Sequence, residues 1–539
     1  MHNTISVIGV KVMGNILVNE IGYRPSDNKI AVYRGDNAGE YAVINQNGKV
    51  VLSGEIVNYV DDEGASERDY SIDFSDVKEE GKYKVVVGDE SSEEFVIKDD
   101  VYNKVLVDSI RFFYLQRCGM KLTEQYAGLF AHEECHTSKA RIYGTDTFID
   151  VNGGWHDAGD YGKYVVPAAV TVADLLLAIK KDESLLSIDL NIPKKTSLPD
   201  ILEEIKYELD WMLKMQDKET GKVYHKVTCA SFCGFFMPEE EKEELIICPF
   251  SLTATADFAA CMAMAAGVYE EYDKEYAKTL LDAAIKAYPQ ASTIQTEDGF
   301  HNPEGVNTGV YEDKIEIDEL YWAAAQMYDA TGDEQYRQDF EKIANDYKLH
   351  GYGWEDVGTF GNLAYVQTKY PVNEDLKDLI MASMVEKADE LLEKCENNGY
   401  GIAFDKDSYI WGSNYYVAEN GSHLYDAYKL TGDEKYLKAA KEHMHYLLGK
   451  NPCNVCFVTG EGSNRIMNPH HRPSSAVKAP MPGMLSGGPN SGLMDPDAVA
   501  DCTGNPPAKC FTDKLLSYST NEVTIYWNSA FILLLAQAF

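Results

Sequence analysis

The sequence predicts a mainly helical protein, a large domain of stacked helical hairpins preceded by a small all-β sandwich. Three observations lead there. Short β-prone runs crowd residues 14 to about 97, the apolar spacing turns helical from about Val101, and a Thr-Gly-Asp turn recurs between later helical stretches. With 539 residues and 45% hydrophobic content, the chain has material for more than one folding unit and a sizeable core.

The β-prone runs are Ile16-Leu17-Val18, Ile30 to Tyr33, Tyr41 to Ile44 and Lys82 to Val87, with Asn47-Gly48 as a hairpin signal between two extended stretches. Many short strands in so little chain suggest a sandwich of immunoglobulin type over residues 14–98. That segment holds no acid pair or ligand cluster, so it reads as a packing module. The helical domain is assigned to residues 101–539. Leu198-Pro199-Asp200 opens a helix with proline at its start, and Thr253 to Tyr269 is rich in Ala and Met, as a buried helix is. Residues 327–336 (MYDATGDEQY) and 427–436 (AYKLTGDEKY) place a Thr-Gly-Asp turn between helices, and residues 267–276 (GVYEEYDKEY) are a degenerate third copy. Such units stack as helical pairs, and closing them into a ring gives an α/α barrel with loops at one end forming a cleft.

A formal charge of −38 argues against nucleic acid and anionic membranes, which need clustered Lys and Arg. No run reads as long and charge-free enough to span a membrane. Met1 to Val12 lacks a basic start, and the 11 cysteines are scattered rather than set in a framework. A cytoplasmic location is therefore expected, or a secreted one if a leader has been removed. Oligomeric state stays open.

The chemistry concentrates in Gly153-Gly154-Trp155-His156-Asp157-Ala158-Gly159-Asp160-Tyr161-Gly162-Lys163-Tyr164. Glycines allow a sharp turn that aims Asp157 and Asp160 into a cleft, and flat aromatic rings suit stacking against sugars. Most acids lie on surfaces, so a bare D-x-x-D carries little weight, but the crowding by Gly, Trp, His and Tyr points to function. Two neighbouring carboxylates can hold and deprotonate one water. A third acid, Glu522, precedes the apolar run Val523 to Leu535 and is read as the first turn of a buried helix. There it serves either as a helix N-terminal charge or as a general acid whose pKa burial raises.

Cys118, Cys135, His136 and His156 are residue types that bind zinc. Their spacing is not that of a zinc finger, and two buried thiols with two ordinary histidines is an equal alternative. Four protein ligands would leave no position for a catalytic water, which implies a structural ion anchoring the loop of Asp157. The close pairs Cys229/Cys233 and Cys453/Cys456 read as packing residues or adventitious thiols.

Taken together, these residues resemble glycoside hydrolase family 9 over almost the whole chain, including the immunoglobulin-like domain many members carry. Gly153 to Tyr164 resembles the family's base loop, which implies Asp160 as general base and Asp157 as its helper. Phe511-Thr512-Asp513, Tyr518, Glu522, Thr524 and Asn528-Ser529 resemble the C-terminal signature. That match implies Glu522 as general acid and Asp513 as an acid supporting substrate or loop geometry. Thr459 to Gly462 and Asn464 to Arg472 resemble the histidine signature, implying that His470 and Arg472 contact sugar hydroxyls. Cys456 departs from the pattern on the approach to that motif. Trp411 resembles a stacking residue of the cleft, with Trp354 a weaker candidate, while Trp211, Trp322 and Trp527 read as core. The resemblance implies zinc on the Cys118, Cys135, His136 and His156 set, a fold of six helical hairpins, (α/α)6, and calcium with no ligands assignable.

The expectation is an inverting hydrolase of β-1,4-glucosidic bonds in cello-oligosaccharides and soluble β-glucans, a cellodextrinase or endoglucanase. Within the family, exo-acting β-glucosidase or glucosaminidase is the alternative. Outside it stand a non-catalytic glucan-binding protein and a hydrolase that uses zinc in its chemistry.

Overall fold

In the computed structural model, which describes residues 14–35, 39–295 and 298–538, the N-terminal strands form two antiparallel sheets. The strands are β1 Ile16–Leu17, β2 Ile30–Arg34, β3 Glu40–Asn45, β4 Val50–Glu55, β5 Asn58–Asp62, β6 Glu67–Asp73, β7 Gly81–Val87, β8 Glu90–Ser91 and β9 Phe95–Ile97. One sheet runs β1-β2-β6-β5. The other runs β4-β3-β7-β8, with β9 also on β7. Alternating residues point between the sheets: Val43, Ile72, Val85 and Phe95 close a core apart from that of the helical domain, with the Tyr23 ring edge-on to Phe74 and Phe95. The Asn47-Gly48 turn joins β3 to β4, with Gly48 at φ 72°.

Among the described residues twelve helices have ten or more residues. They are α1 Asn103–Leu115, α2 Val165–Lys181, α3 Asp200–Met215, α4 Leu252–Tyr269, α5 Lys274–Ala291, α6 Ile317–Thr331, α7 Glu334–Ala344, α8 Gly358–Gln367, α9 Glu374–Glu396, α10 Ser413–Thr431, α11 Glu434–Leu447 and α12 Ile525–Ala538. Eight of them divide into two kinds. Helices α2, α4 and α12 are apolar almost all round and buried, and α6 and α8 are mostly buried. Helices α5, α7 and α11 bury one face only. The buried helices pack in succession: α12 on α2, α2 on α4, α4 on α6, and α6 on α8, with α10 also against α12. The amphipathic helices lie outside, α5 on α4, α7 on α6 and α11 on α10.

The Thr-Gly-Asp turns join α6 to α7 and α10 to α11. Gly332 and Gly432 are left-handed, and Asp333 and Asp433 cap the following helices. In the third copy Asp273 caps α5 in the same way. Two expectations need correction. Leu252–Tyr269 is long and apolar enough to cross a membrane, yet 78% of it is buried within the protein, because it is a core helix on which other helices pack. A sheet beside the cleft was also not foreseen: β10 Ala140–Ile142, β11 Phe148–Ile149, β12 Lys163–Tyr164, β13 Lys226–Thr228 and β14 Ile246–Ile247, ordered β11-β10-β14-β13-β12. Strands this short carry almost no periodic signal.

Candidate active site

The loop that precedes β12 is fixed from below. Gly153 and Gly154 have φ of 104° and 77°, and a Cβ on Gly154 would lie 2.6 Å from the Trp211 ring. Trp155 is held by two acids of α3, its backbone N–H donating to Glu208 (2.5 Å) and its indole N–H to Glu204 (2.9 Å). Asp157 N–H donates to Gly162 O at 2.9 Å, and Gly162 N–H donates to Asp160 Oδ2 at 3.0 Å, so the turn closes around both acids. A Cβ on Gly159 would meet His470 O at 2.0 Å, so only glycine allows this approach of the two loops.

Glu522 comes from the other side. It is extended (φ −72°, ψ 166°), three residues before α12, not in that helix's first turn as expected. The apolar run does continue into a helix, but Glu522 pairs its backbone with His470, and its carbonyl accepts Gly487 N–H at 2.9 Å. Ile525 N–H donates to Asp157 O at 2.8 Å, tying the Glu522 segment directly to the first acid loop.

Asp157, Asp160 and Glu522 line one cleft of about 840 Å³, with Tyr164, Tyr311, Trp354, Trp411, Tyr416 and Tyr526 among its walls. Burial pushes the Glu522 carboxyl well above the usual range, and the negative charges of Asp160 and Asp157 push the same way, while Arg472 opposes them. Burial likewise raises Asp157, a rise that the Tyr311 hydroxyl opposes by donating to Asp157 Oδ2 at 2.5 Å and that Asp160 reinforces. A carboxyl whose proton burial favours, Glu522, with the acids of the other loop facing the same space, is an acid–base arrangement.

The other expected residues separate. Trp411 is 40% exposed and lines the cleft, as does Trp354. Trp211 and Trp322 are core, whereas Trp527, though buried, also reaches the cleft wall. Asp513 is not among the cleft-lining residues. Its carboxylate accepts Met467 N–H and Asn468 N–H at 2.8 Å each, which shapes the turn before His470. Arg472 is buried and donates to Gly159 O (2.8 Å) and Cys233 O (3.0 and 3.2 Å). His470 keeps Nδ1 on Leu515 O at 2.7 Å. Both stand directly behind the acid loops.

Cys118, Cys135, His136 and His156 converge, with one ligand atom from each within 4.8 Å of the others. His156 Nε2 lies 3.4 Å from His136 Nδ1, Cys118 Sγ 3.7 Å from His136 Nδ1, and Cys135 Sγ 4.0 Å from His156 Nε2. Tetrahedral zinc with bonds of about 2.3 Å to sulfur and about 2.0 Å to nitrogen needs edges of roughly 3.3–3.8 Å; two of these separations fall in that range and the third is slightly longer, which suits a closed Cys₂His₂ site. A second group, missed in the sequence, is Asp313, Asp318 and Glu319, again within 4.8 Å. Among the described residues no protein donor reaches Asp313 Oδ2, Asp318 Oδ1 or either Glu319 oxygen. Burial lifts Asp318 to about 7 and Glu319 well above the usual range. Three buried carboxylates whose oxygens crowd together offer the donor set of a hard divalent ion.

Comparison with known proteins gives the family. The sequence profile of glycosyl hydrolase family 9 matches residues 102–535, and that of the cellulase N-terminal ig-like domain matches residues 11–92. The chain belongs to glycosyl hydrolase family 9. It is 39% identical to a cellodextrinase of Butyrivibrio fibrisolvens over 97% of this chain and 99% of that one. A thermostable endoglucanase from Alicyclobacillus acidocaldarius and AaCel9A in complex with cellobiose-like isofagomine each superpose with a TM-score of 0.92. Each is 36% identical, over 97% of this chain and 99% of theirs. As a family 9 chain, the protein is a glycoside hydrolase, a mostly helical enzyme with an N-terminal β-sandwich.

Sequence reasoning missed Tyr311 as well as the acid trio. Tyr311 lies 154 residues from Asp157, at φ 53°, after Gly309, and only the fold brings its hydroxyl to the acid. The trio did carry a weak signal: Asp318 and Glu319 stand in the first turn of α6 beside Asp313, a clustering that also suits a simple helix start.

Proposed function

We propose that this chain is an inverting hydrolase of β-1,4-glucosidic bonds in cello-oligosaccharides and soluble β-glucans, acting as a cellodextrinase or endoglucanase. The observation that carries the reading is that Asp157, Asp160 and Glu522 line a single aromatic-walled cleft. Relatives named cellodextrinase and endoglucanase, and one bound to a cellobiose-like inhibitor, support the substrate class.

In the mechanism, a sugar stacks on Trp411 and Trp354. Asp160, backed by Asp157, takes a proton from a water on one face of the ring, while Glu522, kept protonated by burial, gives its proton to the leaving glycosidic oxygen. Tyr311 donates to Asp157 and favours its ionised form against the pull of burial, so that Asp157 can help hold the same water. His470 and Arg472 brace the acid loops from behind, and Asp513 shapes the turn that precedes them. Zinc on Cys118, Cys135, His136 and His156 would supply rigidity next to Asp157. Calcium on Asp313, Asp318 and Glu319 would neutralise their charge at the start of α6.

The architecture proposed is an (α/α)6 barrel over residues 101–539, with α2, α4, α6, α8, α10 and α12 inside, after a sandwich over residues 14–98. The succession of buried helices and the separate apolar core of the sandwich support it.

The test is turnover of cellopentaose and carboxymethylcellulose by the native chain, Glu522→Gln and Asp160→Asn. Short soluble products from the native chain and losses of at least about 10²-fold in both variants are expected. Native turnover of neither substrate would overturn the reading.

A further inference from the structure

The strap of residues 229–241 links β13 toward β14 and is tied down at four points, the first at Ala230, whose carbonyl accepts Asn307 N–H at 2.8 Å. Arg472 donates to Cys233 O at 3.0 and 3.2 Å, the Tyr161 hydroxyl donates to Phe236 O, and at its far end Glu241 Oε2 lies 2.9 Å from His136 Nε2. The His136 and Glu241 side chains are 4% and 6% exposed, so their bond is shielded from water. His136 therefore has both ring nitrogens committed, Nε2 to Glu241 and Nδ1 toward Cys118 Sγ and His156 Nε2. A carboxylate on the outer nitrogen of a metal-binding histidine fixes the tautomer and ring orientation and raises the basicity of the inner nitrogen. Between its ties the strap presents Phe232 to the cleft, half-exposed, and Phe235 edge-on to His470 with ring centroids 5.2 Å apart. The Tyr161 ring, which carries the tie at Phe236, packs 4.8 Å from the His156 ring.

We propose that Glu241 is a positioning residue: it holds His136 with Nδ1 turned to the metal cluster and tethers the strap 229–241 to that cluster, so that the metal sets where Phe232 and Phe235 stand at the cleft rim. The inference rests on the reading of Cys118, Cys135, His136 and His156 as zinc ligands. It extends that site by a residue 105 positions from His136 in sequence and gives the bound ion a consequence for substrate binding without placing it in the chemistry. Glu241 acts through His136 and the strap and touches neither substrate nor the reacting atoms.

The experiment measures zinc affinity of the native chain, Glu241→Ala and Glu241→Gln by competition with a chromophoric chelator, together with amide hydrogen exchange of residues 229–241 and steady-state kinetics. Glu241→Ala is expected to weaken zinc binding about 10–100-fold. Glu241→Gln keeps an acceptor for His136 Nε2–H and is expected to recover part of that loss. With zinc restored to saturation, Glu241→Ala should still show faster exchange in the strap than the native chain, and a raised KM with kcat nearly kept. Zinc affinity in Glu241→Ala within twofold of native would overturn the inference while leaving the zinc reading intact. A native chain that binds no zinc would overturn both. Should Glu241→Ala fail to fold, Glu241→Gln and the native chain decide: equal zinc affinity in the two, or strap exchange in the native chain unchanged by stripping zinc, overturns the proposal.

Discussion

At Asp157 the hydroxyl of Tyr311 opposes the pull of burial, and this gives the pH profile a handle. Removing the donor in Tyr311→Phe lets the Asp157 carboxyl rise further, so the acidic limb of kcat/KM should move to higher pH. The alkaline limb, set by Glu522 losing its proton, should stay. A pH–rate series on a soluble cello-oligosaccharide checks both limbs, and an unmoved acidic limb would separate Tyr311 from the acid pair. Asp157 and Asp160 were legible as cleft residues because glycines and aromatic residues crowd them, and Glu522 because an apolar run follows it, settings in which a solvated carboxylate has no reason to sit. Tyr311 was not legible, since one tyrosine among 36 has no mark of its own until the chain folds. Arg472 shows the opposite limit. Its motif was readable, but its engagement with the carbonyls of Gly159 and Cys233 was not.

Among the elements, the repeated turn was the most legible feature, because each part has a local cause: a left-handed glycine ends one helix and an aspartate caps the next. The Asp433 side chain accepts Lys435 N–H at 3.0 Å. Asp433→Ala should cost about 1 kcal/mol locally, seen as roughly fivefold faster amide exchange in the first turn of α11 with the rest of the chain unchanged. Glu522 was placed in a helix too early because hydrophobic runs do not mark where a helix starts. Its pairing with His470 is a long-range contact that competes with local helix formation. The acid trio at the start of α6 predicts a metal effect at the same scale. Calcium should raise the thermal midpoint of the native chain by binding only the folded state, and Glu319→Gln should reduce that gain.

Over the whole molecule, the sandwich is joined to the helical domain through buried charge. Glu20 Oε2 accepts Ser463 N–H (2.8 Å), Asn464 N–H (2.6 Å) and the Ser463 hydroxyl (3.1 Å), in the stretch that leads to His470. Left-handed Gly449 and Gly462 make room for its side chain. Burial raises Glu20 to about 7 from an ordinary 4.5 despite these donors. The folded state thus binds more protons than the unfolded one between pH 4.5 and 7, so this group's contribution to stability is present below about 4.5 and is lost as pH rises through 7. Glu20→Gln should remove that component, so that stability falls less steeply than in the native chain across this window, as denaturation at several pH values would show. Neither this junction nor the two clusters of candidate metal ligands could be read as geometry from the sequence, because each joins residues that only the folded chain brings together.

The central claim is that the acids of one cleft carry an inverting hydrolysis, and its most direct test is the anomeric form of the first product. Proton NMR of cellopentaose during early turnover should show the α-anomer accumulating ahead of mutarotation, as expected when Asp160 activates a water across a gap of about 6.5–9.5 Å from Glu522. Early accumulation of the β-anomer would mean retention, and would contradict the assignment of Asp160 as the base.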